Sequence, residues 1–296
     1  MIEVRGLSKT YADGKRALES LDLDLDEGMF GLLGPNGAGK TTFISMLVLA
    51  VEPTRGSRVY DGLDAARASN RSAIRGKIGY LPQDFAPISR LTGLEYLIHC
   101  ARLRQVPLKA KKLEERCRQL LEAVALTHAA NRFAGEYSGG MKRRLGIAQA
   151  LVHSPRLVVV DEPTSGLDPE ERIRFRNLIT EVSERRSVLL STHIVEDIEA
   201  TCPRIGIIGS GRLLFEGPPS ELLRRFHREL WEVRDGEPLP EGAVVAARRR
   251  GGDGEVHLLV HSRAEPRGAR PADTTLEDAY SAFLALQGIA AGEEGA

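Results

Sequence analysis

Tyr137-Ser138-Gly139-Gly140-Met141, set between the stretch Gly34-Pro35-Asn36-Gly37-Ala38-Gly39-Lys40-Thr41 and the acidic strand end Asp161-Glu162, decides the reading of this chain. The upstream stretch fits G-x-x-x-x-G-K-[ST] at every position. Met29 to Leu33 reads as a buried strand running into it and Thr41 to Leu49 as the helix that follows, the context a phosphate loop requires. Glycines there let backbone N–H groups turn inward around phosphate oxygens, and the helix N-terminus adds a favourable dipole. Gly34, Pro35, Asn36, Gly37, Ala38 and Gly39 are therefore the expected cradle. Lys40 is expected to bridge the β- and γ-phosphates, Thr41 to ligate Mg²⁺ through its hydroxyl, and Thr42 to donate to a further phosphate oxygen. A chance glycine-rich turn is the competing reading, and the strand before and helix after disfavour it.

Leu157-Val158-Val159-Val160 is wholly apolar and mostly β-branched, as a central parallel strand would be. Asp161 ends it, where a carboxylate can reach a metal through water. Glu162 is the candidate general base, or the group that orients an attacking water. Asp-Glu-Pro could equally close an ordinary strand; the phosphate loop upstream favours the chemical reading. Phosphoryl transfer needs positioning and charge neutralisation more than covalent chemistry, and this constellation supplies both. Ser138-Gly139-Gly140 is good capping chemistry for a helix start, and a capped helix start is also shaped for an anion.

Bulk properties narrow the field. The 296 residues suffice for one good core plus a smaller second domain. Lys+Arg and Asp+Glu both number 41, so no overall basic field favours nucleic acid, and none is expected as a partner. The short runs Arg224-Arg225 and Arg248-Arg249-Arg250 read as solvated faces. Cys100, Cys117 and Cys202 lie far apart with no C-x-x-C pair, which argues against a disulfide framework or zinc site and suits a reducing cytosol. Met1-Ile2-Glu3-Val4-Arg5 lacks the apolar core of a signal peptide. The apolar stretch from Phe43 to Val51 falls short of the roughly 18–20 residues of a span. The expectation is a chain that does not cross a bilayer, so that any transport path belongs to another polypeptide.

Residues 2–7, 21–25, Lys77–Leu81, Ser187–Ser191 and Ile205–Ile208 read as further strands, with helix over about Leu94–Ala125 and from about Ile194. The alternation predicts an α/β domain over 1–222 with a mainly parallel sheet and an inserted helical subdomain over about 84–155. Composition changes after Leu223, and 223–296 reads as a small α+β accessory domain. Its expected strands are Glu229–Arg234, Ala243–Arg249 and Glu255–Val260, followed by a loop over His261–Asp273. An amphipathic helix then buries Leu276, Ala279, Tyr280, Phe283 and Leu284. Ala291–Ala296 are expected to fray.

Taken together and in this order, the motifs resemble the nucleotide-binding domain of the ATP-binding cassette (ABC) transporter family over Ile2 to Leu222. Tyr137 stands where the common form has Leu and Met141 where it has Gln. The resulting Tyr-Ser-Gly-Gly-Met-Lys-Arg-Arg form resembles the subgroup serving ABC-2-type exporters, and the C-terminal part resembles the extension of drug and polysaccharide exporter ATPases. The resemblance implies a P-loop NTPase fold and a dimer, with two identical copies a natural pairing. ATP and Mg²⁺ held by one copy's loop would be covered by Ser138, Gly139 and Gly140 of the other. It implies that Gln83 reaches Mg²⁺ and the water and senses a membrane partner, and that His193 contacts the γ-phosphate and holds Glu162. In Ser165-Gly166-Leu167-Asp168, Asp168 would couple the two ATP sites across the dimer, and Tyr11 would stack on adenine. The implied function is an ATP-hydrolysing motor at the cytoplasmic face of the membrane, driving a separate ABC-2-type permease, with export the direction the resemblance implies. A soluble cassette ATPase acting on ribosomes, DNA or cluster assembly is the runner-up, although only one cassette is present and there is no room for long coiled coils. A nucleotide-gated regulator with little turnover is the third reading, against which the intact Glu162 and His193 argue.

Overall fold

The structure, a computed structural model, describes residues 1–250 and 255–289. Strands β1 (Ile2–Thr10) and β2 (Arg16–Leu25) pair antiparallel, with Ile2 opposite Leu25 and Val4 opposite Leu23. Alternation along β2 sends Leu21, Leu23 and Leu25 inward and Asp22 to solvent, the period of a half-buried strand. β3 (Gly28–Leu33) then enters the phosphate loop and α1 (Lys40–Leu47) leaves it. β4 (Arg55–Tyr60) returns along β1 and β5 (Leu63–Asp64) extends the sheet to the order β2-β1-β4-β5.

A short helix, α2 (Arg71–Arg75), leads to β6 (Ile78–Leu81) at one edge of the second sheet. Three helices are inserted before that sheet continues: α3 (Gly93–Leu103), α4 (Ala110–Ala123) and α5 (Gly139–Leu151). β7 (Leu157–Asp161), α6 (Pro169–Ser183), β8 (Ser187–Ser191), α7 (Val195–Thr201), β9 (Arg204–Gly209) and β10 (Arg212–Gly217) complete it. The order is β10-β9-β3-β8-β7-β6, parallel except for β10, which forms an antiparallel hairpin with β9. β3, β8 and β7 are adjacent, and Ser191 is in register with both Leu32 and Asp161. The loops leaving these strands therefore converge at one carboxyl edge of the sheet, where open α/β sheets bind ligands.

The helical stretch expected over about Leu94–Ala125 comprises two helices, α3 and α4. α3 ends in a Schellman turn: the Gln105 N–H donates to Arg102 O at 2.9 Å and the Val106 N–H to Ala101 O at 3.0 Å, with Gln105 left-handed at φ 53°. Pro107 then cannot continue the helix. β4, β5, α2, α6 and β10 are further elements the sequence reading did not anticipate.

α8 (Pro219–Phe226) runs through the compositional change at 222–223, and its buried Leu222 and Phe226 belong to the same apolar core as α5 and β7. Beyond it, β11 (Leu230–Arg234), β12 (Val244–Arg250), β13 (Val256–His261) and β14 (Arg270–Pro271) form an antiparallel sheet in the order β12-β13-β11-β14. β14 falls inside the segment expected to be loop. α9 (Leu276–Leu286) opens with a capping box made by Thr275 and Asp278, and it buries Leu276, Ala279, Tyr280, Phe283 and Leu284. Phe283 meets Phe215 of β10 edge-to-face at 6.1 Å, so this helix is joined to the central sheet by aromatic packing, each ring contributing roughly 1.5–3 kcal/mol of burial. The fraying expected of Ala291–Ala296 lies outside the described residues. Among the described residues no helix is long and apolar enough to cross a membrane.

Candidate functional site

A cavity of about 540 Å³ opens at the converging loop ends. Its lining includes Tyr11, Pro35, Asn36, Gly37, Gly39, Lys40, Thr41, Thr42, Gln83, Asp161, Glu162 and His193. Gly34 and Ala38 are buried behind the loop rather than on the cavity wall. The loop's shape depends on its glycines. Gly39 has φ 111°, and a Cβ there would lie 2.6 Å from the Ala17 carbonyl oxygen, so only glycine lets β2 pass this close. α1 starts at the next residue, its first N–H groups unsatisfied by any side-chain cap and directed at the loop.

Lys40 is almost wholly buried, its ammonium donating to the carbonyls of Gly34 and Pro35 and lying 3.8 Å from Glu162 Oε1. Burial pulls its pKa below the ordinary lysine value, opposed by the carboxylates of Glu162 and Asp161. Asp161 is shifted the other way: burial raises its pKa, Glu162 adds to the rise and Lys40 opposes it. The backbone of Glu162 turns left-handed at φ 45°, an unfavourable conformation for a residue with a side chain, on the order of 1–2 kcal/mol. Its N–H donates to Ser191 O at 2.8 Å, which holds the turn. That turn brings Glu162 Oε2 within 2.7 Å of His193 Nδ1. The His193 loop is itself anchored, since the Thr192 N–H donates to Leu32 O at 3.2 Å and the Ile194 N–H to Thr192 Oγ1 at 3.0 Å.

At the cavity mouth the Tyr11 hydroxyl is 3.3 Å from Thr42 Oγ1, and the Lys9 ammonium sits 5.3 Å from the centre of the Tyr11 ring. Both contacts hold an exposed ring over the entrance. The donor set suits Mg²⁺: the Thr41 hydroxyl, the Gln83 amide oxygen and the Asp161 carboxylate are hard oxygen donors, and all three residues line the cavity.

Ser138, Gly139, Gly140 and Asp168 do not line this cavity. Ser138 is exposed and caps α5, its Oγ accepting from the Met141 N–H at 3.2 Å. Asp168 is exposed and caps α6, accepting from the Glu171 N–H at 2.9 Å with Pro169 at the first helical position. Within one chain these two helix starts therefore contribute nothing to the cavity wall.

The structure adds residues that sequence reasoning missed. Lys15, just past the turn after Tyr11, and Arg16, which opens β2, line the cavity and add positive charge. Arg143 on α5 donates to the backbone carbonyl of Gln83, tying the Ser138 helix to the strand end beside the cavity. Buried Arg144 donates to Val124 O and Ala125 O, both at 3.2 Å, and pairs with Glu171 at 3.3 Å. The basic pair after Tyr11 was a legible signal; Arg143 and Arg144 had none, since their partners are remote in sequence.

Comparison with known proteins gives the same picture. Residues 18–165 match the family profile described as ABC transporter. The chain is 38% identical over 240 residues to an ABC transporter ATP-binding protein of Bacillus subtilis, YxlF, covering 81% of this chain and 78% of that one. It is 41% identical over 228 residues to ABC transporter A family member 6 of Arabidopsis thaliana, covering 74% of this chain. It spans only 24% of that plant relative's length. Among solved structures it resembles the dimeric post-hydrolysis state of the ATP-binding cassette MJ0796 bound to ADP and Pi. The TM-score is 0.67 at 25% identity, covering 74% of this chain and 98% of that one.

Proposed function

Since the chain belongs to the ABC transporter family, we propose that it is an ATP-hydrolysing motor subunit, driving export through a separate ABC-2-type membrane permease. The observation that carries the reading is the placement of Glu162 between Lys40 and His193 over a complete phosphate loop, with the Ser138 helix start left facing outward. Lys40 and the loop N–H groups would bind the triphosphate, and the Tyr11 ring would stack on the base. Thr41, Gln83 and, through water, Asp161 would hold Mg²⁺, whose chemistry is neutralisation of charge on the phosphate oxygens. Glu162 would accept a proton from, or orient, the attacking water, and His193 would hold that carboxylate in line. Ser138, Gly139 and Gly140 of a second copy would cover the triphosphate, with Asp168 near the pair's axis. Closure of the pair would be passed to the permease at the Gln83 strand end, on the cytoplasmic face of the membrane.

The test is affinity capture of tagged Glu162→Gln protein from gently solubilised native membranes with ATP present, followed by mass spectrometry. The expected result is a polytopic permease co-purifying with a dimer of this chain. Capture of ribosomal or other soluble partners alone would replace the transport reading with that of a soluble cassette ATPase.

A further inference from the structure

Leu103 is 70% exposed, the most exposed large apolar side chain among the described residues, and Leu108 is 40% exposed. Leu103 ends α3 and Leu108 lies on the connection to α4, whose backbone is held in place. Besides the two bonds of the Schellman turn, the Leu108 N–H donates to Val106 O at 2.8 Å, and Val106 packs onto the core. The turn thus anchors its middle residue and leaves a leucine in water on each side.

The same turn is ringed by exposed cations, Arg102, Arg104, Lys109, Lys111 and Lys112, and no Asp or Glu occurs from Tyr96 to Leu113. Among the described residues none of the five forms an ion pair; Arg104 donates to the Arg75 carbonyl at 3.3 Å. Lys109 occupies the N-cap of α4 without a side-chain cap, and the first turn has no acidic residue, so the cations crowd the positive end of the helix. Exposed leucines forgo burial and cations without counter-charges forgo pairing in the chain alone, and an anionic bilayer surface would supply both at once.

We propose that this turn docks on an anionic lipid surface, with Leu103 and Leu108 entering the headgroup boundary and the five cations meeting lipid phosphates and carboxylates. A nucleic acid would leave the leucines without a partner. The inference does not depend on the motor reading, because it concerns a surface outside the nucleotide cavity.

The test is flotation of the full chain with phosphatidylcholine vesicles, with and without phosphatidylserine. The expected result is flotation with the phosphatidylserine vesicles only, lost at high salt. Leu103→Asp should lower the partition coefficient roughly tenfold, the scale expected from losing one buried leucine. The triple variant Lys109→Glu, Lys111→Glu, Lys112→Glu should abolish flotation. Both variants should keep the wild-type thermal midpoint and ATPase rate in solution, which separates a failure of docking from a failure of the motor reading. Failure to float with either vesicle, equal flotation with both, or an unchanged Leu103→Asp variant would overturn the proposal. Binding only to membranes that retain their proteins would also overturn it and assign the turn to a protein partner.

Discussion

Glu162 Oε2 stands 2.7 Å from His193 Nδ1 while Oε1 of the same carboxylate stands 3.8 Å from Lys40 Nζ. One side chain at the end of β7 is thus held from two directions, by the loops that follow β8 and β3. Sheet order is the cause. With β8 between β3 and β7, the residues just past each strand end are neighbours whatever their distance along the chain.

If His193 positions Glu162, His193→Ala should lower ATP turnover by roughly 10²-fold or more, within the usual range for a lost proton-handling group. Nucleotide affinity should change little, because Lys40 and the loop amides remain. Steady-state ATPase kinetics with an independent nucleotide-binding titration distinguish the cases. A rise in KM with kcat preserved would make His193 a binding residue and leave Glu162 positioned by other means.

What the sequence disclosed and what it withheld follow from the range of the interactions. β3, the phosphate loop and β7 were legible because each is a local apolar run meeting a local motif. α6 was not, although Asp168 and Pro169 mark its start, because its apolar stripe of Phe175, Leu178, Ile179 and Val182 is diluted by charge. The polar strand β4, Arg55–Tyr60, has no clean alternation, and the Schellman turn at Gln105 lacks the glycine that usually announces one. Within the site, Glu162 is legible as the carboxylate that follows an apolar strand behind a phosphate loop, and the role of His193 rests on resemblance, whereas Arg143, Arg144 and Glu171 act through partners brought near only by folding.

The replacement of Leu by Tyr at 137 has a partner in Gly93. The Tyr137 hydroxyl donates to Ala129 O at 2.7 Å, and a Cβ at position 93 would lie 2.1 Å from that hydroxyl. Gly93→Ala alone should therefore destabilise the chain by about 1–3 kcal/mol through overpacking. In a Tyr137→Leu background the same change should be close to neutral. Denaturant unfolding of the four-member cycle measures the coupling, and additive effects would show that the two positions do not compete for space.

Gly140 is constrained from the other side. A Cβ there would meet Glu171 Oε2 at 2.4 Å, and that carboxylate is held by Arg144 at 3.3 Å and by Arg174 at 3.2 Å. Glu171→Gln leaves Arg144 buried without its counter-charge, and its cost should be about 1–3 kcal/mol. Because Glu171 joins the start of α6 to the start of α5, the variant should also weaken ATP-dependent dimerisation. Analytical ultracentrifugation in an otherwise Glu162→Gln chain checks this. A stability loss with unchanged dimerisation would restrict Glu171 to a structural role.

At the cavity mouth, Tyr11→Ala removes a stacking surface, and base–aromatic stacking is worth about 1–3 kcal/mol, so KM for ATP should rise by roughly tenfold. Tyr11→Phe keeps the ring and loses only the 3.3 Å contact with Thr42, so its KM should stay close to wild type. The two variants are compared with ATP and with inorganic triphosphate, which has no base. An equal loss of triphosphate binding in Tyr11→Ala would show that the ring acts through Thr42 and not through the base.

Asp161 yields a pH prediction whose sign is opposite to that of most paired carboxylates. Burial raises its folded pKa above 3.8, so the folded chain holds the proton more tightly than the unfolded chain. Stability contributed by this group therefore falls as pH rises from the ordinary carboxylate value through the folded one, and the loss is complete above both. Asp161→Asn removes the buried charge. Without nucleotide or metal, the variant should melt above wild type at neutral pH, by roughly 2–4 °C per kcal/mol relieved. The advantage should fade as pH approaches 4. Lys40, whose pKa burial lowers, is affected at the opposite end of the scale, where deprotonation in the folded chain favours folding as pH rises toward 10.5. Adding ATP and Mg²⁺ at neutral pH should reverse the order, because wild type gains ligand stabilisation that Asp161→Asn lacks. An Asp161→Asn chain that melts below wild type at neutral pH without ligand would mean that the Asp161 charge is already compensated by Lys40, and that no penalty is waiting to be relieved by the metal.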